Sequence, residues 1–458
     1  MKHLIDPTDI SRQETDAIIA LAEDIIENRE KYRDSLKYHK LATLFYEPST
    51  RTRLSFTSAM MELGGNVLGF SDARSSSVSK GETVADTVRV VENFVDVIAM
   101  RHPLEGAPYV ASLAAHVPII NAGDGSHAHP TQTLTDLLTI KRELGRIDGI
   151  TIGFCGDLKF GRTVHSLIKA LSRYEDVKVI LIAPDELRLP DYIKNDVCDR
   201  QGLDYREVGT IEEVIGELDV LYMTRVQKER FLDEEEFERV KDSFVLDKAK
   251  MAMAGKNMCV LHPLPRVNEI LPEVDDDPRA AYFRQVGNGK IVRMALIYSL
   301  LKWKDDPEHT MPEHPDYFED SSLRCRNSKC ICNHEKVRPL FHKTVSGADV
   351  ALIAILLFHS FEETLYSVEH QHCDCHGAHA ARNRGDAPCN CGSRLEIHIT
   401  YKTGPRGSVF FCAGDTVDSH VYHHSAGFDH VCGDHFRTAY GGNQDVGLAA
   451  YGRKVRSA

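Results

Sequence analysis

The sequence predicts an α/β protein made of two doubly wound domains with parallel sheets, followed by a small Cys-rich C-terminal extension whose structure the sequence leaves open. From residue 150 onward, short apolar runs alternate with helical segments, which is typical of parallel strands covered by helices on both faces. A less regular alternation precedes residue 150. Composition separates the last part, because nine of the 12 cysteines and 13 of the 23 histidines lie in residues 325–458.

The bulk properties indicate a small anionic substrate. A chain of 458 residues should hold two or three domains. Its formal charge of −13 argues against nucleic acid and against an anionic membrane as partners, so a locally basic pocket would serve a small anion. The longest apolar run, 348–358, is too short to span a bilayer, and the polar start of the chain does not resemble a secretory signal. We therefore expect a cytoplasmic protein.

In the first half of the chain, apolar residues at helical spacing predict an amphipathic helix over 11–33. Residues 71–81 are rich in serine and predict a loop. The other segments predict strands at 40–45, 66–70, 95–101 and 117–121, and helices at 54–63, 83–93 and 130–144.

In the second half, apolar runs predict strands at 150–154, 177–183, 219–224 and 258–262, with helices at 163–172, 211–217 and 291–301. We expect one domain over 1–135, completed by a C-terminal helix at 291–303, a second domain over 150–290, and a linker over 304–319. Ligands of such folds bind at the carboxyl ends of the strands. Arg101, Arg162, Arg225 and the pair Leu264-Pro265 all follow predicted strands directly.

The stretch 47–53 predicts an anion site at a helix start. Ser49 and Thr50 are good N-cap residues, and the apolar run 54–63 suits the helix that follows. Free backbone N–H groups, two hydroxyls and the guanidiniums of Arg51 and Arg53 then meet at one point, which suits a phosphate or a carboxylate. An ordinary capped helix with solvated arginines is the alternative.

Three further loops are candidates. His129 and Gln132 lie at another predicted helix start and could polarise a carbonyl oxygen, although a capping turn explains them as well. The stretch 224–230 follows a strand with two arginines and is a second anion-site candidate. The stretch 262–266 has two prolines and presents carbonyl oxygens that suit an NH₂ group. The glycines of 153–161 do not form G-x-G-x-x-G, so a dinucleotide site is weakly indicated.

Taken together, these motifs resemble the catalytic chain of the aspartate carbamoyltransferase family, over residues 1 to about 306. The matching motifs are Ser-Thr-Arg-Thr-Arg at 49–53, Lys-Gly-Glu at 80–82, His-Pro-x-Gln at 129–132, Arg162, Arg-Val-Gln at 225–227 and His-Pro-Leu-Pro-Arg at 262–266. The resemblance implies transfer of a carbamoyl group from carbamoyl phosphate to L-aspartate, without a catalytic cofactor, in pyrimidine synthesis. It implies that the first domain binds carbamoyl phosphate and the second binds aspartate.

The resemblance also implies residue roles. Phosphate would be held by Ser49, Thr50, Arg51 and Thr52, with Arg101 bridging phosphate and carbonyl oxygen. Thr52, Arg101 and His129 would stabilise the oxyanion. Gln132 and the carbonyls of Leu264 and Pro265 would bind the carbamoyl NH₂, and Arg162, Arg225 and Gln227, with Lys80, would bind aspartate. Ser76 and Lys80 match residues that reach a neighbouring subunit's site, which implies a homotrimer.

Two alternatives compete with this interpretation. Ornithine carbamoyltransferase is similar in its phosphate loop, but this chain lacks the Cys-Leu-Pro loop of that family and carries Arg-Val-Gln at 225–227. A non-catalytic homologue acting as a scaffold is the alternative of a different class. The complete set of motifs favours the aspartate enzyme over both.

Residues 320–345 resemble part of the zinc domain of the regulatory chain of aspartate carbamoyltransferase. Cys325 and Cys330 match its first ligand pair, which implies a structural zinc ion. The second pair of that family is a Cys-x-x-Cys, and no such pair follows here. A zinc site needs four ligands, so the predicted site is incomplete.

Residues 346–458 form a tail without regular periodicity. A metal-binding tail, a disordered extension and a shift of reading frame after about residue 345 are the open interpretations. We favour the frame shift, because the family pattern ends midway through the cysteine site.

Overall fold

The computed structural model describes residues 1–72, 77–226, 244–312, 317–319, 323, 325–337, 340–343, 349–351, 397–402 and 408–413. Residues 1–312 are dominated by two parallel sheets. Their strands are Lys40–Phe45 (β1), Asn66–Phe70 (β2), Val97–His102 (β3), Ile119–Asp124 (β4), Thr151–Cys155 (β5), Lys178–Ile182 (β6), Asp204–Val208 (β7), Val220–Met223 (β8) and Cys259–Leu261 (β9).

Helices connect and cover the strands. The α-helices of six residues or more in the described ranges are Arg12–Glu27 (α1), Thr50–Glu62 (α2), Val84–Val91 (α3), Ala107–Ala114 (α4), Pro130–Leu144 (α5), Arg162–Leu171 (α6), Lys248–Met253 (α7) and Tyr282–Trp303 (α8). Apart from the edge strands β2 and β7, the strands are buried between the helices and are nearly continuous apolar runs. The predicted fold class is confirmed.

The first sheet has the strand order β2-β1-β3-β4 and the second has the order β7-β6-β5-β8-β9. All pairings within both sheets are parallel. The strand order reverses direction between β1 and β3 in the first sheet and between β5 and β8 in the second. Loops on either side of such a reversal leave the sheet on opposite faces and open a crevice at its carboxyl edge.

Helix α8 follows the second sheet and packs against helices from the first part of the chain. It packs against α1, α2 and α5 and buries Val292, Met294, Leu296 and Ile297 completely. It begins at Tyr282, nine residues before the apolar run that predicts it. Its first turns are polar, but Gln285 and Asn288 are buried through hydrogen bonds to α5.

Several sequence-based boundaries need correction. The first predicted helix, 11–33, ends at Glu27, and a separate four-residue helix, Arg29–Tyr32, follows. The predicted helix 211–217 is a series of turns, because its backbone bonds run mostly to the third residue back. The edge strand β7 has an exposed, polar sequence and is not signalled by an apolar run. The proposed domain limits and the linker remain predictions.

The Cys-rich segment folds against the first sheet's domain. Its strands Tyr317–Glu319 (β10), Leu340–Lys343 (β11) and Asp349–Ala351 (β12) form an antiparallel sheet. Cys330 and Ile331, between β10 and β11, belong to the same buried cluster as residues of β3 and α4. Ile397–Lys402 (β13) and Ser408–Ala413 (β14) form a separate antiparallel pair. The prediction of an irregular tail otherwise concerns residues outside the described part.

Candidate active site

A cavity of about 840 Å³ lies where the carboxyl edges of the two sheets meet. Its walls come from the loops after β1, β3, β5, β8 and β9, together with the starts of α5 and α8. The loops after β1, β3, β5 and β8 flank the two strand-order reversals, so topology explains the position of the cavity. The predicted residues that line it are Ser49, Thr50, Arg51, Thr52, Arg101, His129, Gln132, Arg162, Arg225, Leu264 and Pro265.

The start of α2 forms one wall. Ser49 is the N-cap residue but makes no capping bond through its side chain, so its hydroxyl is not used to satisfy the helix. The first N–H groups of a helix have no partners within the helix, and they carry the positive end of its dipole. Arg51 reaches across the cavity and donates to the carbonyl oxygen of Leu264 at 2.9 Å. An anion at this wall would meet N–H groups, hydroxyls and a guanidinium together.

Arg101 is the penultimate residue of β3 and is held by an acid that the sequence did not single out. Its Nη2 lies 2.5 Å from Oε1 of Glu47, and its Nη1 donates to the Ala122 carbonyl at 3.4 Å. Its Nε is buried and has no hydrogen-bond partner among the described residues. Arg101 is therefore only partly satisfied within the described chain, and the residue lines the cavity.

The loop between β4 and α5 is held by Asp124, which is completely buried. Its carboxylate pairs with His127 at 3.0 Å and accepts bonds from Gly106 N and Asn121 Nδ2 at 2.9 and 2.8 Å. These bonds offset the cost of burying the charge, and the partnership with His127 contributes to a lowered pKa of Asp124 despite its burial. They set the path of the chain that leads to His129.

His129 is buried beside three guanidiniums. Burial and the charges of Arg162, Arg101 and Arg293 lower the pKa of His129 well below its usual value. The imidazole is therefore neutral near pH 7 and can donate one N–H hydrogen bond without carrying charge. Gly123 marks the meeting point, since a Cβ built on it would lie 2.9 Å from Arg101 Nη1 and 3.3 Å from both Arg162 Nη2 and His129 Cδ2.

Gln132 is oriented by a buried hydrogen-bond network. Its Nε2 donates to Asp136 Oδ1 at 2.7 Å, which leaves its amide oxygen to accept from a ligand. Gln285 of α8 donates to the same oxygen at 2.6 Å, and Tyr222 of β8 donates to Oδ2 at 3.0 Å. Burial raises the pKa of Asp136 to about 7.

The same network reaches the proline loop. Gln285 accepts a bond from His262 N at 2.9 Å through its amide oxygen. His262 Nδ1 accepts from Leu264 N at 2.8 Å, so its Nε2 is the protonated nitrogen and donates to Glu269 at 2.8 Å. Leu264 has a φ of +50°, and its carbonyl faces the cavity wall where Arg51 binds it. The two predicted acceptors, Gln132 and the Leu264 carbonyl, are thus anchored to each other through buried groups.

Arg162 and Arg225 follow strands of the second sheet and also line the cavity. Arg162 is the first residue of α6 and donates to the Gly125 carbonyl, which joins the loop after β5 to the loop after β4. Arg225 follows β8 and is half-buried. Lys80 ends a short 3-10 helix, is exposed, and does not line the cavity of its own chain. Ser76 and Gln227 lie outside the described residues.

Sequence reasoning missed several residues of the cavity and its support. Glu47, Thr135, Gln285, Arg293 and Lys329 line the cavity, and Asp136 supports it. Only Glu47 carried a local signal, because it directly precedes the Ser-Thr-Arg motif. The others are single residues in helices or loops, and only tertiary packing brings them to the site.

The cysteine segment forms a second candidate site. The Sγ atoms of Cys325, Cys330 and Cys332 lie within 4.8 Å of one another, and no fourth ligand accompanies them within the described ranges. Asn327 N donates to Cys325 Sγ at 3.3 Å. Cys332 was overlooked in the sequence, although it stands only two residues after Cys330.

Within the described part of the chain, no helix combines the length and apolarity that a membrane span requires.

Known protein families match the first 300 residues of the chain in two consecutive parts. The profile of the aspartate/ornithine carbamoyltransferase carbamoyl-P binding domain matches residues 2–142, and that of the Asp/Orn binding domain matches residues 148–300. The aspartate carbamoyltransferase catalytic subunit of Lachnoclostridium phytofermentans is 61% identical over 301 residues, which are 66% of this chain and 98% of that protein. That of Clostridium novyi is 63% identical over 300 residues, again 98% of its length.

Solved structures agree. The catalytic subunit of M. jannaschii aspartate transcarbamoylase is 50% identical, with a TM-score of 0.63, and the match covers 67% of this chain and 99% of that one. Trypanosoma cruzi aspartate transcarbamoylase in complex with carbamoyl phosphate and aspartate is 42% identical, with a TM-score of 0.62, over 65% of this chain and 96% of that one. Through residues 1–300, the chain belongs to the aspartate/ornithine carbamoyltransferase family, in its aspartate carbamoyltransferase branch.

Proposed function

We propose that the chain transfers the carbamoyl group of carbamoyl phosphate to the amine of L-aspartate, giving N-carbamoyl-L-aspartate and phosphate. The observation that carries this proposal is the convergence of Arg51, Arg101, Arg162 and Arg225 with a neutral His129 in one cavity. Several cations in one cavity suit two anionic substrates, and the neutral donor suits a carbonyl group held between them. The pathway implied is pyrimidine synthesis.

The wall at the start of α2 is assigned to the phosphate. Ser49, Thr50, Arg51 and Thr52 supply backbone N–H groups, hydroxyls and one guanidinium at a helix N-terminus, which is a favourable place for a phosphate. Arg51 is oriented toward the cavity by its bond to the Leu264 carbonyl. Arg101 lines the same cavity, and in this proposal its guanidinium bridges phosphate and carbonyl oxygen.

Thr52, Arg101 and His129 are assigned to the carbonyl oxygen as it gains negative charge. A hydrogen bond from a preorganised donor strengthens as charge develops on the acceptor, so it lowers the barrier more than it strengthens ground-state binding. The neutral state of His129 suits this task, because burial beside three guanidiniums opposes a fourth positive charge.

Three acceptors are assigned to the carbamoyl NH₂. The amide oxygen of Gln132 is directed by Asp136, and the Leu264 carbonyl is directed by the His262 loop. The Pro265 carbonyl lies in the same loop, where proline cannot offer an N–H donor. Several acceptors at one place favour an NH₂ group over a second oxygen at that position.

Arg162 and Arg225 are assigned to the two carboxylates of aspartate, together with Gln227. A planar guanidinium matches a carboxylate with two parallel hydrogen bonds. Ornithine, with its terminal ammonium, would meet repulsion at the second arginine. The proposed division into a carbamoyl-phosphate domain over 1–135 and an aspartate domain over 150–290 follows from these assignments.

The reaction balances with the two substrates alone. The neutral amine nitrogen attacks the carbonyl carbon, the new C–N bond forms, and the bond from carbon to the phosphate oxygen breaks. The departing phosphate takes the proton that the nitrogen loses. The protein contributes orientation and charge stabilisation, which together can supply much of the acceleration of such a step.

The first test offers L-aspartate and L-ornithine in parallel to the purified chain with carbamoyl phosphate. Turnover of aspartate alone is the expected result. N-(phosphonacetyl)-L-aspartate, which Trypanosoma cruzi aspartate transcarbamoylase binds in a solved structure, should bind this chain and compete with carbamoyl phosphate. Turnover of ornithine, or no turnover of either amine, would contradict the proposal.

We infer further that three chains share their active sites, with Ser76 and Lys80 completing the site of a neighbour. Lys80 is exposed and is not among the described residues that line its own chain's cavity, which supports this arrangement. Mixing Lys80→Ala with His129→Ala after dissociation tests it, because some mixed sites then hold both native residues. Return of activity in the mixture is expected, and a mixture as inactive as its parents would argue against shared sites.

We also propose that Cys325, Cys330 and Cys332 hold a zinc ion in a segment related to the regulatory-chain zinc domain. The three thiols fit zinc, which prefers sulfur ligands, and the Asn327 N–H supports a thiolate at Cys325. Zinc here would serve folding rather than catalysis. Metal analysis of the purified chain should find about one zinc per chain in wild type, and Cys330→Ser should lose it. Equal zinc in both would place the metal elsewhere.

A further inference from the structure

The cysteine segment is attached to the loop that borders the cavity. Glu105, just after β3, is completely buried, and its carboxylate accepts from Asn327 Nδ2 at 2.8 Å. Its backbone N–H donates to the Lys329 carbonyl at 2.9 Å, and its carbonyl accepts from Ile331 N at 3.0 Å. The segment is therefore bound to Glu105 by both backbone and side chain.

The attachment continues into the active-site support. The other carboxylate oxygen of Glu105 accepts from Ser126 N at 2.9 Å, in the loop that leads to His129. On the far side, Glu335 accepts from Val84 N, the first residue of α3, at 3.0 and 3.1 Å. Cys330 and Ile331 are completely buried between these anchors. This part of the segment is built into the first domain.

Lys329 occupies a defined place within that segment. Its N–H donates to Asn327 Oδ1 at 2.8 Å and its carbonyl accepts from Glu105, so its backbone is held on both sides. Its side chain is exposed, and the residue lines the cavity together with Pro103 and Leu104. It is the one residue after 300 that the described cavity wall contains.

We propose that Lys329 binds an anionic group of the substrates, so that the C-terminal segment contributes a residue to the active site. This inference rests on the proposed function. Several arginines line the cavity in a chain whose net charge is −13, so a further cation in its lining raises the local attraction for a dianion. The ammonium acts on binding and takes no part in the bond changes.

The test measures both Michaelis constants and kcat for the full chain and three variants. Lys329→Ala removes the charge, Lys329→Arg keeps it, and Lys336→Ala is the control, because Lys336 is exposed in the same segment but does not line the cavity. Lys329→Ala should raise KM for at least one substrate about 3- to 10-fold. This is the effect expected when a charge contact that is partly exposed to solvent is lost. The substrate affected identifies whether a phosphate or a carboxylate is bound.

We expect kcat to stay within about twofold, Lys329→Arg to restore most of the affinity, and added salt to narrow the gap between wild type and Lys329→Ala. A KM for both substrates that matches the Lys336→Ala control would overturn the proposal. An equal rise in KM for Lys329→Arg and Lys329→Ala would also overturn it, because the side chain would then act through packing and not through its charge. Wild-type turnover of aspartate, measured in the same assay, separates failure of this inference from failure of the proposed function.

Discussion

The two edges that meet in the cavity are built differently. At the first sheet's edge, Thr52 and His129 are buried and Arg101 is held by Glu47, so the donors stand in place before a ligand arrives. At the second sheet's edge, Arg162 and Arg225 are half-buried on loops that follow strands. A rigid, buried edge suits charge stabilisation in the transition state, whereas a more open edge suits recognition of the second substrate. Substitutions at the first sheet's edge should therefore lower kcat, and substitutions at the second sheet's edge should raise KM for aspartate.

The largest effect is expected where the edges touch. Gly123→Ala places a methyl group 2.9 Å from Arg101 Nη1 and 3.3 Å from Arg162 Nη2 and His129 Cδ2, at a residue whose φ is +113°. The substitution strains the backbone and displaces donors from both edges. We expect kcat/KM to fall on the order of 10³-fold or more, because even one misplaced oxyanion donor costs roughly 10²–10³. Steady-state kinetics with both substrates varied measures it.

Gly145→Ala is the matched control for this variant. Gly145 has a φ of +74° at the end of α5, and a methyl group placed on its Cα would meet no atom of the described chain within 4 Å. It carries backbone strain without a steric clash, so it should lower stability while leaving kinetics unchanged. If both variants lost activity equally, strain alone would explain the loss and the convergence at Gly123 would be irrelevant to catalysis.

His129→Ala tests the first edge alone. Loss of one preorganised donor should lower kcat about 10²- to 10³-fold with little change in KM for aspartate. Since the pKa of His129 is lowered well below its usual value, its protonation should not limit the wild-type rate between pH 6 and pH 8. Two results would contradict the assignment of a neutral donor. One is a kcat of His129→Ala that equals the wild-type value. The other is a wild-type rate that follows an ordinary histidine pKa, when the rate of the variant does not.

Arg225→Gln tests the second edge. It removes a charged donor that is assigned to an aspartate carboxylate, and a hydrogen bond to a charged group is worth about 1.5–3 kcal/mol. KM for aspartate should therefore rise about 10- to 100-fold, while the affinity for carbamoyl phosphate stays near the wild-type value. Arg206→Gln is the control, because Arg206 is on the exposed strand β7 and pairs with Glu217 away from the cavity. If Arg225→Gln lowered kcat and left KM for aspartate unchanged, the proposed difference between the two sheet edges would be wrong.

The contrast also separates what the sequence can predict from what it cannot. Strands β1 and β2 and helix α5 have the predicted ends, because short apolar runs and a proline at the first helical position are local signals. The loops that follow β3, β5, β8 and β9 were predicted as ligand sites from their places at strand ends, and the loop after β1 was predicted from its helix-start motif. Roles could be assigned to single residues in these loops only because several motifs occur in the same order along this chain as in a known family.

Residues that act through distant partners carried no such signal. Asp136 lies 149 positions from Gln285 and 86 from Tyr222, and only packing of α5, α8 and β8 shows that the three share a network. Glu105 and Asn327, 222 positions apart, are a second example. A buried polar residue in a helix or loop looks like any other polar residue until its partner is located.

The smallest expected effect concerns stability and this same network. The pKa of Asp136 is raised to about 7 by burial, so between its unfolded value and pH 7 the folded chain holds a proton that the unfolded chain has lost. This contribution to stability is present at low pH and is lost as pH rises through about 7. Asp136→Asn should retain both glutamine bonds through its amide oxygen, with the Tyr222 hydroxyl accepting from its NH₂. It removes the titration without breaking the network.

The free energy of unfolding of the variant, relative to wild type, should therefore increase with pH between 4 and 7, with a slope that approaches about 1.4 kcal/mol per pH unit. Denaturant unfolding of both proteins at several pH values measures this difference, and comparison with wild type cancels the titration of other buried groups, such as Asp9. Activity at pH 7 should change little, because Gln132 keeps its orientation. Asp136→Ala, which cannot hold either glutamine, should lose activity at every pH. A pH-independent difference between Asp136→Asn and wild type would mean that Asp136 is ionised throughout, stabilised by its three donors.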